Sequence, residues 1–395
     1  MVHEFKNIAI IGAGASGCMC AYFLLNNTNN IISHNLNQPI IEKENLSITL
    51  FDKGAPLRTL LPTGGGRCNL AHAEYDFKEL VKSYPRGEKF LYSIFSKYST
   101  LNTIETFKKM GIETYAQENG RIFPKSNSAK IVRENILKNI QKANFVKEEV
   151  TEIVQLNPGF KIITNKAQYL FDIVILAIGG HSGLKLVNNL GIKTVEQRPS
   201  LVGLNTKEDF KTLSGTVVKN VTYNNIYEDL LFTHFGVSGP LVYTISSIKA
   251  FKKTPYILNF DLAPDLKDLQ EILDNNPHKE IKNILNKYLP AKLINYILND
   301  IDETTKAHKI NGKTRDLILN KIHNFEINII GTNKGDETVT AGGIDLNEIN
   351  PKTMGIKNFS GLYAIGEILN IDGFCGGYNL QNAWSTSYIC ANSIF

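Results

Sequence analysis

One stretch of the sequence decides the fold: Ile8-Ala9-Ile10-Ile11-Gly12-Ala13-Gly14-Ala15-Ser16-Gly17. Its four leading apolar residues predict a short buried strand, and the apolar positions after the glycines recur with helical spacing. Gly12, Gly14 and Gly17 match the G-x-G-x-x-G motif in the strand-to-helix context that this motif requires. In the motif the first glycine permits a tight turn, the second admits a pyrophosphate and the third packs helix on strand. We therefore predict a dinucleotide-binding turn, where the free N–H groups and dipole of a helix N-terminus attract phosphate.

Length and composition are those of an ordinary globular protein. The 395 residues are 43% hydrophobic and 21% charged, which argues against a disordered or fibrous chain and leaves room for two or three domains. The net charge of +5 permits an anionic partner without requiring one. Five cysteines without a C-x-x-C pair indicate a reducing compartment and no structural zinc site. Because no segment requires a membrane and the first strand leaves no room for a signal peptide, we expect a cytoplasmic location.

A second strand is predicted at 48–51 and ends at Asp52. A dinucleotide fold places an acid at this position, where it accepts hydrogen bonds from the adenosine ribose. The separation from the glycines exceeds the usual gap of about twenty residues. The Asn-rich stretch 26–47, which we predict to be largely a surface loop, accounts for the excess. The alternative for Asp52 is a turn residue at the strand end, and its position after a strand favours the ribose role.

The second informative motif is a triple glycine, in the stretch Thr63-Gly64-Gly65-Gly66-Arg67-Cys68-Asn69. Three consecutive glycines make neither a good helix nor a good strand, and they let the backbone press against a flat ligand. Arg67 is suited to pairing with phosphate or with an anionic, reduced ring. Cys68 is a candidate proton donor, and a buried spectator thiol is the alternative.

The middle of the chain changes character twice. The segment 76–149 is predicted to be mostly helical, interrupted by a loop at 120–124 from which Arg121 could reach the ligand. Between residues 78 and 149 it carries 14 Lys and Arg against 8 Asp and Glu, which is either a solvated surface or an RNA contact. A buried strand then runs into Gly179-Gly180, as expected of a central parallel strand whose end faces a cofactor crevice.

From 199 to 260 the pattern predicts shorter strands, at 201–204, 216–221 and 256–260. The intervening stretch 231–240 is predicted to be a glycine-punctuated loop. Its His234 is either a satisfied structural histidine or a substrate-facing acid. The charged segment that follows, up to about residue 325, has apolar residues at helical spacing, which predicts a small helical insertion.

The last section returns to glycine-rich strands. A strand from 361 ends in Gly366 and Glu367, and a second glycine pair, Gly376-Gly377, precedes a helix that continues to the end. A helix that begins beside a flavin would stabilise the negative charge that the ring gains on reduction. The C-terminal section therefore predicts a second contact surface for the same ligand.

Together, these motifs resemble a family of bacterial flavoproteins, the BaiN/RdsA family of FAD-dependent oxidoreductases. The matching motifs occur in order along nearly the whole chain. They are G-A-G-A-S-G at 12–17, T-G-G-G-R-C-N at 63–69, L-A-I-G-G at 176–180, L-F-T-H-F-G-V-S-G-P at 231–240, T-A-G-G-I-D at 340–345, and G-L-Y-A-I-G-E through G-G-Y-N-L-Q-N-A-W at 361–384. The resemblance implies FAD as the cofactor.

The resemblance also implies an α/β fold with a discontinuous Rossmann-like FAD-binding domain. A β-barrel-like substrate domain would interrupt it and would itself carry a small helical insertion. The change of pattern near 195 and the return of glycine-rich strands near 340 agree with this division. The predicted boundaries are 1–195 with 340–395 for the FAD-binding domain, 196–264 with 324–339 for the β-barrel-like domain, and 265–323 for the helical insertion.

The cofactor contacts that the resemblance implies fall on the motif residues. The first glycine turn would hold the pyrophosphate and Asp52 the ribose, while the triple glycine and the last glycine pair would lie against the ring. Glu367 would meet the ribityl–pyrophosphate region. The predicted cofactor-binding residues are Gly12, Gly14, Ala15, Ser16, Gly17, Asp52, Lys53, Gly65, Gly66, Arg67, Cys68, Ala177, Gly179, Gly366, Glu367, Gly377, Tyr378, Asn379 and Leu380.

Relatives in this family are associated with dihydrouridine formation in ribosomal RNA and with reduction of steroid-like enones. The resemblance therefore implies an enzyme that reduces an activated carbon–carbon double bond by hydride transfer from flavin N5. A positioned acid must supply a proton to the neighbouring carbon. The candidate catalytic residues are Cys375, Tyr378, His234 and Cys68. Cys375 and Tyr378 rank first because the glycine pair between them would lie beside the flavin.

The sequence also bears on the substrate partner and on the electron donor. The basic segment from 78 to 149 favours uridine in ribosomal RNA over a small apolar enone. NAD(P)H, the expected small-molecule reductant, would bind only transiently, because the sequence offers a single G-x-G-x-x-G motif. The alternatives are a flavoprotein reductase or dehydrogenase of a small enone or steroid-like molecule, and a non-catalytic FAD-binding protein. We expect neither a metal site nor a membrane partner.

Overall fold

A computed structural model describes residues 6–26, 46–180, 183–333, 335 and 339–394. Most of the predicted Asn-rich loop, and His181 and Ser182 after the double glycine, lie outside the described residues. The strands are β1 (Lys6–Ile11), β2 (Leu46–Phe51), β3 (Ala71–His72), β4 (Thr114–Ala116), β5 (Arg121–Pro124), β6 (Asn144–Val146), β7 (Val150–Gln155), β8 (Phe160–Thr164), β9 (Gln168–Phe171), β10 (Ile173–Leu176), β11 (Thr194–Ser200), β12 (Leu204–Thr206), β13 (Val217–Tyr223), β14 (Ile226–Thr233), β15 (Gly236–Ser238), β16 (Tyr256–Phe260), β17 (Phe325–Thr332), β18 (Val339–Ile344) and β19 (Leu362–Ala364).

The helices of the described residues are α1 (Ala15–Asn26), α2 (Phe77–Leu80), α3 (Glu88–Phe95), α4 (Thr100–Lys109), α5 (Ala129–Asn139), α6 (Leu184–Asn189), α7 (Pro240–Ile248), α8 (Leu269–Asp274), α9 (Ile281–Leu285), α10 (Ala291–Ile297), α11 (Gly312–His323) and α12 (Tyr378–Ser393). Most of these helices have fewer than ten residues, and α12 is the longest of them, with 16. The chain divides into two compact units, unit 1 from residues 1–198 and 339–395, and unit 2 from residues 199–338.

Unit 1 is built on a five-stranded parallel sheet in the order β19-β10-β1-β2-β6. In β1, Ile8 pairs with Ile173 of β10 on one side and with Ile48 of β2 on the other. The last four residues of both β1 and β2 are buried, as is all of β10, which explains their near-continuous apolar sequences. The predicted α/β class is therefore confirmed.

The first and last helices of unit 1 pack against each other. The Ser387 hydroxyl of α12 donates a hydrogen bond to the backbone oxygen of Ser16 in α1, at 2.8 Å. Trp384 is fully buried, and its indole N–H donates to the backbone oxygen of Leu70 at 2.9 Å. The C-terminal helix is thus tied to both glycine-rich regions of the first part of the chain.

Two small antiparallel sheets complete unit 1, in the orders β3-β5-β4 and β7-β8-β9, with a two-stranded pairing of β11 and β18. They correct two predictions. The stretch 120–124 is not a loop, because residues 121–124 form β5, in which Ile122 and Phe123 are buried. The segment 76–149 is not mostly helical throughout, because it also contains β4 and β6.

Unit 2 is a six-stranded antiparallel sheet in the order β13-β14-β15-β12-β17-β16. Thr222 and Asp261 exchange two backbone hydrogen bonds, of 2.9 and 3.0 Å, which join the first strand of this order to the end of the last. The sheet therefore closes on itself, as a barrel does. The segment from α8 to α11 packs its apolar side chains into the core of this unit.

Two predictions for unit 2 are wrong in detail. The stretch 231–240 is mainly a hairpin of β14 and β15 that leads into α7, rather than a loop. Leu230 and Phe232 are buried with the two-residue period of a strand, and this alternation is the signal that its glycines obscured. The strand predicted at 201–204 begins only at Leu204, because Leu201 has a left-handed backbone with φ of 51°.

Candidate functional site

The first glycine turn has the three steric properties that its motif predicts. A Cβ on Gly12, whose φ is 105°, would collide with the backbone oxygen of Ala177, and one on Gly17 would collide with the backbone oxygen of Gly12. Both positions therefore require glycine. A Cβ on Gly14 would meet only the Thr59 hydroxyl, 3.9 Å away. The space over Gly14 is open, as it must be where a pyrophosphate approaches the backbone.

Asp52 closes this turn from the end of β2. Its carboxylate accepts hydrogen bonds from the backbone N–H of Ala13, at 2.9 Å, and of Gly54, at 2.7 Å. The bond to Gly54 is that of a turn residue at a strand end, and the bond to Ala13 holds the carboxylate beside the glycine turn. Each oxygen keeps a second lone pair that a ribose hydroxyl could use. The ribose role of Asp52 stays a prediction.

Residues from the last section of unit 1 meet the first glycine turn. Gly366 has φ of 74°, and a Cβ there would collide with the side chain of Ser16, so the Gly366 backbone lies directly against that side chain. Glu367 accepts a hydrogen bond from the backbone N–H of Thr340 at 2.9 Å. Its carboxylate also lies 3.8 Å from the place of a Cβ on Gly179. Predicted residues from three distant parts of the sequence therefore surround the same turn.

The triple glycine presents bare backbone. A Cβ on Gly64 would contact Phe123 at 2.8 Å, whereas Gly65 has no atom within 4 Å of a Cβ and Gly66 has one at 4.0 Å. Gly65 and Gly66 are also exposed, so a flat ligand can approach them closely. The Arg67 guanidinium lies over the Phe123 ring, 4.2 Å from its centroid. Asn69, two residues on, has a buried side-chain oxygen without a hydrogen-bond partner among the described residues.

Cys68 is fully buried directly after this motif. Burial raises the pKa of its thiol to about 12, so the group stays protonated at neutral pH. Such a thiol is a weak acid compared with an exposed cysteine. This environment favours the alternative that the sequence left open, a buried spectator, over a proton donor.

The second glycine pair is held in a loop that is fixed at both ends. The Asn379 side chain makes two 2.9 Å hydrogen bonds with the backbone of Gly373, one in each direction. Asp372, which is fully buried, forms a bidentate ion pair with Arg86. The Tyr84 hydroxyl donates to the backbone oxygen of Tyr378 at 2.6 Å. The loop from 372 to 377 therefore has a defined shape before any ligand binds.

His72, which the sequence analysis missed, joins this loop to the triple-glycine region. Its ring stacks on Tyr378 with 4.7 Å between ring centroids, and its Nδ1 lies 3.2 Å from the backbone oxygen of Gly376. Arg121, paired with His72 across β3 and β5, donates from Nη2 to the Cys375 sulfur at 3.7 Å. Cys375 and Tyr378 thus share one cluster with His72 and Arg121. An isolated histidine after a motif leaves no pattern by which a sequence could reveal this.

His72 makes the stability of unit 1 depend on pH. A carbonyl oxygen only accepts hydrogen bonds, so Nδ1 carries the proton in the neutral ring. Burial lowers the pKa of His72 below its ordinary value of 6.5, so the unfolded chain binds a proton there more readily. The stabilising effect is present above pH 6.5 and is lost as the pH falls through the lowered pKa.

We expect the thermal midpoint to fall less steeply between pH 7.5 and 5 in His72→Gln than in the wild type. Parallel curves of thermal midpoint against pH for the two proteins would contradict this.

Three further predicted residues have the following surroundings. Lys53 is exposed and forms a 3.2 Å ion pair with Glu149. His234 is exposed in the hairpin turn of unit 2. Leu380 lies in the first turn of α12 and is partly buried against the core of unit 1. Their predicted roles stay predictions.

The residues of unit 1 fit a flavin dinucleotide. The open space over Gly14 suits a diphosphate, and the bare backbone of Gly65 and Gly66 suits a flat ring. The unpartnered oxygen of Asn69 suits an N–H donor of a ligand. Among the described residues, no group of three or more His, Cys, Asp or Glu side chains is arranged to hold a metal ion. No helix in the described ranges has both the length and the apolar character needed to cross a membrane.

Comparison with known proteins gives one family and several relatives of nearly equal length. Residues 6–393 match the family described as HI0933-like protein Rossmann domain. A protein of Haemophilus influenzae named "Ribosomal RNA dihydrouridine synthase" is 29% identical and covers 99% of each chain. A protein of Escherichia coli with the same name is 28% identical, covering 98% of this chain and 97% of the other.

A third relative carries a different name. The "3-dehydro-bile acid delta(4,6)-reductase" of Clostridium scindens is 28% identical over 98% of both chains. Among solved structures, a 3-ketosteroid delta1-dehydrogenase from Sterolibacterium denitrificans has a TM-score of 0.50 at 12% identity, covering 98% of this chain and 99% of the other. At that identity the likeness concerns the fold alone.

Proposed function

Because the chain belongs to the HI0933-like Rossmann domain family, we propose that it uses FAD to reduce uridine in ribosomal RNA to dihydrouridine. As a member of this family of FAD-dependent oxidoreductases, the protein is an oxidoreductase enzyme. The substrate is the proposed part. One observation carries the FAD site: glycine-rich turns from both ends of unit 1 meet at Gly366 and Ser16.

The residues divide the work of holding the dinucleotide. The turn at Gly12 to Gly17 and the N-terminus of α1 would hold the diphosphate, and Asp52 the ribose. Gly65, Gly66 and the loop that ends at Gly377 would lie against the ring. When bound, FAD supplies the hydride for the carbon–carbon double bond of the substrate.

The protein must supply the proton, and Cys375 is the best placed of the three candidates in unit 1. Its thiol is partly exposed, whereas Cys68 and Tyr378 are buried. The Arg121 guanidinium, 3.7 Å from the Cys375 sulfur, would stabilise the thiolate left after the proton has moved to the substrate carbon. His72 and Tyr378 pack beside the same loop and keep it in place.

This role gives a prediction for turnover. We expect Cys375→Ala to retain FAD and to reduce its substrate about 100-fold more slowly, because general acid catalysis contributes roughly 10²–10⁴-fold. The pre-reduced enzyme is mixed with substrate under anaerobic conditions, and the rate of a single round of substrate reduction is measured. The assay then needs no added reductant. Tyr378→Phe is the matched variant, since it removes only a hydroxyl. Equal turnover of Cys375→Ala and wild type would exclude Cys375 as the donor.

The relatives named for ribosomal RNA support the choice of substrate, as does the excess of basic residues between 78 and 149. The test is mass spectrometry of ribosomal RNA from a strain that lacks this protein. We expect a uridine in place of a dihydrouridine. The dihydrouridine should return when the wild-type protein is expressed in this strain, but not when Cys375→Ala is expressed. An unchanged set of dihydrouridines would overturn the proposal.

The second candidate is reduction of a small enone, which the relative named for a bile acid supports. The two substrates differ in charge, so salt separates them. Binding to RNA weakens steeply with added salt because counterions are released, whereas binding of a neutral enone does not. Reoxidation of the reduced enzyme by ribosomal RNA fragments, by a steroid enone or by neither distinguishes the two candidates from a non-catalytic FAD-binding protein.

A further inference from the structure

The segment after Asp52 is fixed tightly against the first glycine turn. The backbone N–H of Leu57 donates to the backbone oxygen of Ala13 at 2.8 Å, and the Leu57 side chain is fully buried. Leu57 has a left-handed backbone, with φ of 56° and ψ of 24°. A branched side chain rarely adopts this strained conformation, which is concentrated at ligand-binding and active sites. The strain sets the direction of the next two residues, Arg58 and Thr59.

Thr59 lies at the open space over Gly14. Its hydroxyl oxygen lies 3.9 Å from the place of a Cβ on Gly14, and apart from the adjoining residues no other described heavy atom lies within 4 Å of that place. Thr59 is exposed, and its hydroxyl has no hydrogen-bond partner in the described part of the chain. The fold therefore makes no use of this hydroxyl, and it borders the space that a diphosphate would fill.

Arg58 places a positive charge beside Asp52, whose carboxylate closes the same turn. The side chain is exposed, and its Nε lies 3.5 Å from the place of a Cβ on Gly54, as does an oxygen of Asp52. The two Asp52 oxygens accept from Ala13 and Gly54, and Arg58 forms no ion pair with any described carboxylate. A guanidinium that lies near Asp52 without a direct ion pair to any described carboxylate is suited to an anionic ligand at this end of the turn.

We propose that Arg58 and Thr59 form a clamp on the diphosphate of the dinucleotide, held in place by the strained backbone of Leu57. This inference rests on the proposed function, because it requires FAD in this turn. The α1 N-terminus supplies only about half a unit of positive charge, whereas the diphosphate carries about two negative charges. Arg58 adds a full charge, and the Thr59 hydroxyl adds a hydrogen bond to a charged oxygen.

The test compares release of FAD from the holoenzyme of the wild type, Thr59→Val and Arg58→Gln. Free FAD regains its fluorescence, so dilution gives the dissociation constant. A hydrogen bond to a charged group is stronger than one between neutral groups, so we expect each variant to release FAD about tenfold more readily, which is about 1.4 kcal/mol. The effect of Arg58→Gln should shrink as salt is added, because the side chain is exposed. Thr59→Ser keeps the hydroxyl and should behave as the wild type.

Two controls separate this role from a structural one. Arg198→Gln, which removes an exposed arginine paired with Glu196 in the same unit, should leave FAD binding unchanged. In competition, ADP should displace FAD from the wild type more effectively than adenosine does, and this advantage should shrink in both variants. Wild-type binding of FAD with unchanged variants would overturn the clamp alone. A wild type that binds no FAD would overturn the proposed function and the clamp with it.

Discussion

A Gly14→Ala variant is expected to fold as the wild type does and to bind FAD about a hundredfold more weakly. Apart from the adjoining residues, only the Thr59 hydroxyl among the described atoms lies within 4 Å of the new methyl group, at 3.9 Å, and the Gly14 backbone is outside the left-handed region. The folded protein therefore accommodates alanine without strain. The same methyl group would occupy the space of the diphosphate, and overpacking of this kind costs about 1–3 kcal/mol.

The matched variant is Gly17→Ala, which adds the same methyl group three residues later. There the Cβ collides with the backbone oxygen of Gly12 and lies 3.2 Å from the Ile10 side chain. We expect Gly17→Ala to lose its folded structure together with its flavin. The visible flavin absorbance and the thermal midpoint of each variant give the comparison. A Gly14→Ala protein that purifies fully yellow with wild-type affinity would show that the diphosphate does not lie on this turn.

Replacing Arg86 is expected to lower the stability of unit 1 strongly. Asp372 is fully buried and the Arg86 side chain is 14% exposed, so Arg86→Met leaves a buried charge without its arginine partner. Removal of one partner of such a pair costs about 3–5 kcal/mol. For a unit of this size the thermal midpoint should fall by about 10 °C. The loop that carries Cys375 begins at this ion pair, so turnover should fall as well.

The exposed pair of Lys125 and Glu113 provides the control. Both of its side chains are more than 60% exposed, and Lys125→Met should cost less than about 1 kcal/mol. In the double variant Arg86→Met with Asp372→Asn, the buried charge is gone, and part of the lost stability should return. Equal thermal midpoints for Arg86→Met and Lys125→Met would show that the buried pair contributes little.

The sequence was most informative where one residue type has a steric reason to be present. Gly12 and Gly17 have no room for a Cβ, Gly14 leaves its space open, and the spacing of the three therefore predicted the turn correctly. The parallel sheet was predictable because strands buried on both faces are apolar throughout. The family resemblance drawn from the motifs is confirmed by the match over residues 6–393.

Contacts between distant residues left no such pattern. Arg86 and Asp372 are 286 positions apart, and His72 and Gly376 are 304 apart. Nothing near either partner in the sequence marks the other. The sequence predicts a loop where β14 and β15 form a hairpin, because the glycines of this stretch outweigh the alternation of Leu230 and Phe232. Which side chains approach a ligand depends on such long-range contacts, so the roles of the site residues remain predictions.

The contact between Gly366 and Ser16, and the bond from Ser387 to the oxygen of Ser16 across 371 positions, have a consequence for biosynthesis. A ribosome releases the opening strand and helix long before it has made α12, which carries Ser387. Until then the nascent chain has only the N-terminal glycine-rich turns, and α1 lacks the helix that packs against it. The vitamin-derived cofactor can therefore be captured only after translation of the final helix, and stop codons upstream of it should yield colourless protein.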